Sequence, residues 1–78
     1  MLKTREVLDA YFLETRCMLL EIGATLDRLD RAAEANSDST ITADGRLERI
    51  HQSLALLAQR ETTPDRAERL LNLFSDPA

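Results

Sequence analysis

From Arg5 to Ala35 the chain runs thirty-one residues without a proline and with a single glycine, Gly23. Apolar residues recur along it at steps of three and four: Leu8, Phe12, Leu19, Ile22, Leu26, Leu29 and Ala33. That spacing stacks them on one face of an α-helix, because residues three and four apart are neighbours on its surface. A helix of this length spans roughly 45 Å at 1.5 Å per residue. Whatever else the chain forms has to be arranged along that rod.

The same stretch carries more apolar surface than one neighbour can cover. Tyr11 widens the first stripe, and a second stripe of Leu13, Cys17, Leu20 and Ala24 lies roughly 100–140° further round. Between the two runs a row spaced by sevens, Asp9, Arg16, Gly23 and Asp30. Two stripes on one helix predict cover from two sides. The second stripe, with Gly23 at its edge, is therefore the expected contact with another subunit: Leu13, Cys17, Leu20, Gly23 and Ala24. Gly23 has two readings, a close approach by another backbone or a tolerated loss of about 1 kcal/mol of helix stability.

Downstream, Asn36-Ser37-Asp38-Ser39-Thr40-Ile41-Thr42 is a run of small polar side chains that compete for backbone hydrogen bonds, and it reads as a loop. A second helix is expected over about 43–60, capped by Thr40 or Thr42 and helped by Asp44, with Leu47, Ile50, Leu54, Leu57 and Ala58 inward. Gly45 blurs where it starts. Thr63-Pro64-Asp65 then has the pattern of an N-cap, a first helical position and a dipole-matched acid. The third helix is expected over 64–74, with Ala67, Leu70, Leu71 and Phe74 buried. Helix 1 should begin at Thr4 as N-cap or one turn later and end near Ala35. The predicted fold is an all-α, single small three-helix domain over residues 1–78. One long N-terminal helix (5–35) joins an antiparallel helical hairpin, and self-association completes the bundle; the alternative is a compact monomeric three-helix bundle in which helix 3 folds into both gaps.

Size supports that last step. Seventy-eight residues bury only about 60–65% of the surface their unfolded chain exposes, so a lone monomer is marginal. Hydrophobic residues at 44% suffice for a core, and two glycines and two prolines suit helices. The net charge is −4, and nine arginines alternate with acids instead of forming a basic stripe, which argues against nucleic acid. An acidic polar face argues against a membrane surface. The single cysteine leaves no intrachain disulfide or thiolate cluster. With no signal-like apolar segment visible, a cytoplasmic protein is expected.

His51 is the residue that asks for a role. It falls beside Leu47, Leu54 and Ala58 on the expected apolar face, with Glu48 three residues before it. Glu-x-x-His on a helix is one ingredient of carboxylate-bridged di-metal sites in four-helix bundles, which also need glutamates from two other helices. A hairpin turn near Ser39 would put Asp30 level with the pair. One reading makes His51 structural, hydrogen-bonded to or paired with Asp30. The other makes Asp30, Glu48 and His51 ligands of a divalent transition metal, with Glu14 reaching the pair only across an interface. Asp27-x-x-Asp30 and Glu48-x-x-His51 together also resemble the paired acidic motifs by which all-α NTP pyrophosphatases hold magnesium. The resemblance covers four residues, and His51 stands where that family has an oxygen ligand. Phosphate-binding loops, His-Glu-x-x-His and nucleophile elbows are missing, so no catalytic residue and no organic cofactor are expected. The reading that follows is a small cytoplasmic helical interaction and oligomerisation module, a homodimer or other homo-oligomer, or one that docks a partner helix. The alternative is a metal-binding helical bundle.

Overall fold

The computed structural model describes residues 3–36 and 44–75. Among these residues there are three α-helices and no strand: α1, Thr4–Asn36; α2, Arg46–Leu57; and α3, Arg66–Ser75. The chain divides into two compact units, Met1–Asp38, which holds α1, and Ser39–Ala78, which holds α2 and α3.

The bounds of α1 match its pattern to within a residue at each end. Its first intrahelical bond runs from the Val7 N–H to the Lys3 carbonyl at 3.1 Å, which puts Lys3, not Thr4, in the capping position. A lysine side chain has no oxygen to offer the first amides, and Glu6 in the first turn meets the positive helix end instead. Thr15 and Thr25 turn their hydroxyls back to the carbonyls of Tyr11 and Glu21, each at 2.9 Å. A threonine bonded this way needs no other partner, which is how Thr15 fits between Phe12 and Leu19. Of the expected loop 36–42, residues 37 onward lie outside the described residues, as do the proposed caps Thr40 and Thr42.

The second unit is an antiparallel helical hairpin, in which the Arg49 guanidinium, near the start of α2, reaches the Phe74 carbonyl, near the end of α3, at 3.5 Å. The start of α2 is set by Gly45, three residues later than expected. Gly45 adopts φ +88°, a left-handed conformation that costs an L side chain roughly 1–2 kcal/mol. Its carbonyl accepts the Arg49 N–H at 3.2 Å, and the preceding carboxylate supplies the cap: Asp44 Oδ1 accepts the Arg46 N–H, also at 3.2 Å. The Arg46 side chain grips the same carboxylate with two bonds, Nε to Oδ1 at 2.6 Å and Nη2 to Oδ2 at 3.1 Å.

The far end of α2 unwinds at Leu57, short of the expected Arg60, in a tightened last turn from Gln59 N–H to the Leu56 carbonyl. The carbonyls released there are taken up across the hairpin. Arg66 donates to the Gln59 and Arg60 carbonyls, both at 3.3 Å, and Arg69 donates to the Thr62 hydroxyl at 3.0 Å. The entrance to α3 also differs from expectation. The carbonyl of Asp65 accepts the Arg69 N–H at 3.0 Å, so Asp65 is the N-cap; Pro64 precedes it and Thr63 lies two before. The chain bends at Pro64 through a bond from the Asp65 N–H to the Thr63 carbonyl, and the Thr63 hydroxyl donates to the Asp65 carboxylate, both at 2.8 Å.

Those arginine bonds decide which way α3 faces. Its half-buried residues are Arg66, Arg69, Leu70 and Leu73, whereas Ala67, Leu71 and Phe74 are exposed. The inward face is turned about 100° from the expected one, with Leu70 common to both. On α2, Leu47, Ile50 and Leu54 are half-buried as expected, but Leu57 and Ala58 are exposed. Ser53, 9% exposed, is the only buried residue among those described, and no apolar side chain among them is fully buried. Its hydroxyl returns to the Arg49 carbonyl at 2.7 Å, so it enters the interior with its polar group satisfied.

Candidate functional site

His51 does not lie on an inward face. It is exposed, and so is Glu48, one turn before it. Two residues apart on a helix differ by about 200° in direction, so a helix that buries Ser53 turns His51 outward. The expectation of a histidine set in the apolar face is therefore corrected. Among the described residues neither the Glu48 nor the His51 side chain makes a hydrogen bond or ion pair. Asp30 belongs to the first unit, where it too is exposed. Among the described residues no group of three or more His, Cys, Asp or Glu side chains is arranged to hold a metal ion within either unit.

The apolar surface of α1 is the feature that stands out chemically. Val7, Leu8, Tyr11, Phe12, Leu13, Met18, Leu19 and Leu20 are all exposed large hydrophobic residues, and they crowd into fourteen consecutive positions. Leu13 is 67% exposed, Leu20 57% and Phe12 58%, so members of both stripes face outward. Cys17 is exposed beside them as a free thiol. Further along, Ile22, Ala24, Leu26, Leu29 and Ala33 are half-buried.

A shallow groove runs along α1 between the stripes. Phe12, Thr15 and Leu19 form one bank, and Leu20 and Ala24 the other. Gly23 is its floor, where a Cβ would meet no atom within 4 Å. Arg16 and Asp27 are its charged lining residues, and Asp30 lies one turn past Asp27. The side chains of Arg16, Asp27 and Asp30 make no hydrogen bond or ion pair among the described residues. Of the expected interface set, Leu20, Gly23 and Ala24 line this groove, while Leu13 and Cys17 flank it. The charged members, Arg16 and Asp27, were not in that set. Arg16 is visible in the heptad row through Gly23, whereas Asp27 lies outside that row and carries no such signal.

Among the described residues the perturbed pair lies on the hairpin. Two hydrogen bonds from the Arg46 side chain and one from its backbone hold the Asp44 carboxyl below its ordinary value, and the same contact raises the Arg46 guanidinium.

The described residues are all-α, with large apolar side chains exposed on α1, and no helix among them is long and apolar enough to cross a membrane. No family model, curated protein or solved structure matches the chain.

Proposed function

We propose that the protein is a small helical oligomerisation module whose long helix α1 docks against a second copy of itself. The observation that carries this reading is the cluster of exposed large apolar side chains between Val7 and Leu20. Monomeric soluble proteins rarely leave a contiguous apolar patch of more than a few hundred Å² open to water. A second copy suits the face better than a foreign helix of one charge sign, because both signs are interleaved along the groove row: Asp9, Arg16 and Asp30. Self-association also supplies the core that a chain of this length lacks. A lone free cysteine is at ease in a reducing compartment, and the cytoplasm is the location we propose.

Sedimentation equilibrium of the full chain tests the reading. The wild type should be a dimer or higher oligomer at micromolar concentration. Leu20→Arg, which would force a charge into the contact, should shift it to monomer. A wild type that stays monomeric to high micromolar concentration overturns the proposal.

A further inference from the structure

We infer that two α1 helices pair antiparallel, crossing at Gly23 with Arg16 of each copy set against Asp30 of the other. This rests on the reading of α1 as a self-association surface and gives that surface a direction. Arg16 and Asp30 each lie seven residues from Gly23, on opposite sides of it and in the same row. Seven residues are about 10.5 Å along a helix. A two-fold axis at Gly23 therefore carries Arg16 onto the level of Asp30 of the second copy, and the symmetry makes the same pair twice. Asp27 comes to within one turn of that arginine as well, so each guanidinium meets two carboxylates. The parallel alternative in register does the opposite, laying Arg16 over Arg16, Asp27 over Asp27 and Asp30 over Asp30.

The apolar parts of the groove agree with the crossing. Leu19 comes beside Leu26 of the second copy on one bank, and Leu20 beside Ala24 on the other. Gly23, with open space where its Cβ would stand, lets the two backbones approach at the crossing point. Glycine and other small residues serve this purpose wherever helices pack closely. Among the described residues no side-chain bond of Arg16, Asp27 or Asp30 has to be broken for this pairing.

The test reverses each charge singly and then both together in the full chain, with dissociation constants read by sedimentation at low salt. Arg16→Asp alone, or Asp30→Arg alone, replaces both attractive pairs by repulsive ones and should weaken the dimer on the order of tenfold. Arg16→Asp with Asp30→Arg in one chain restores opposite charges between positions 16 and 30 and should recover most of the affinity lost by either single variant, short of wild type because the carboxylate at position 16 then lies within one turn of Asp27. The single-variant effect should shrink in about 1 M salt, where the screening length is about 3 Å. Circular dichroism should show all variants as helical as the wild type, since these side chains are exposed. The antiparallel crossing also separates the two Cys17 residues by twelve positions, about 18 Å along the axis, too far for a disulfide. A dimer indifferent to the single reversals, or one that forms a Cys17–Cys17 disulfide rapidly under mild oxidation, overturns the crossing and leaves self-association standing. A wild type that is monomeric overturns both.

Discussion

The two units of this protein solve the same problem in different ways. Each begins as an amphipathic helical segment too short of partners to be stable alone. The hairpin of α2 and α3 closes on itself with long polar side chains. Arg49 reaches Phe74, Arg66 takes the carbonyls released at Gln59 and Arg60, and Arg69 holds Thr62. Around these bonds the half-buried leucines need only be few. Along the described part of α1 the side-chain hydrogen bonds of Thr15 and Thr25 are local, each to its own helix. Its N-terminal half presents large apolar residues instead. The hairpin ties off its own backbone, whereas α1 leaves leucines and phenylalanine exposed, and it is this face that we propose docks a second copy.

This contrast can be broken most forcefully at Leu20. Leu20→Arg should lower association by about a hundredfold, the order expected for placing a charge where an apolar side chain was buried. Hydrogen exchange should then show faster opening of α1 amides, while α2 and α3 keep their protection. Equal loss in both units would show that they are not separable in stability.

Overfilling the hairpin should give the converse. Ser53→Leu forces a larger side chain into the one position buried among the described residues and should cost about 1–3 kcal/mol in urea unfolding, with dimer affinity little changed. Ser53→Ala removes only a hydroxyl that bonds its own helix and should be nearly neutral.

The two glycines sharpen the comparison further. Gly45→Ala puts a Cβ on a left-handed residue and should destabilise the hairpin by about 1–2 kcal/mol. Gly23→Ala improves a helical residue by up to about 1 kcal/mol, so α1 should gain helicity as a monomer yet dimerise less well. Thermal melts at two protein concentrations separate these effects.

A smaller effect is expected at the entrance to α3. Asp65→Ala should cost about 1 kcal/mol and Thr63→Ala clearly less, because Asp65 holds the capping position and Thr63 only steadies its carboxylate. The smallest concerns pH. Asp44 has a folded-state pKa below its ordinary 3.8, so its contribution is present above that value and is lost as pH falls through the lowered one. The amides at the start of α2 should show this in an acid titration by NMR, and Asp44→Asn should abolish it while leaving α1 unaffected.

How much of this was legible in the residues depends on the range of the forces involved. The existence of three helices and the extent of α1 follow from local chemistry: a long run free of proline, apolar steps of three and four, and the punctuation around Pro64. The two apolar stripes, with Gly23 between them, were likewise plain on a helical wheel. The wheel could not say which angle a neighbour would occupy. The inward turn of Leu73 instead of Leu71 follows from Arg66 and Arg69 reaching back to residues 59, 60 and 62, bonds between positions six and seven apart that no periodicity encodes. For the same reason His51 looked buried by its company of Leu47 and Leu54, yet faces outward once α2 packs through Ser53. The starts of α2 and α3 shifted because Gly45 took a left-handed turn and Asp65 outcompeted Thr63 for the cap, choices made between neighbours of similar propensity. Propensity and periodicity act within one turn of helix and are written in the sequence. The azimuth at which helices meet is set by side chains bonding across the gap, and only the folded chain decides it.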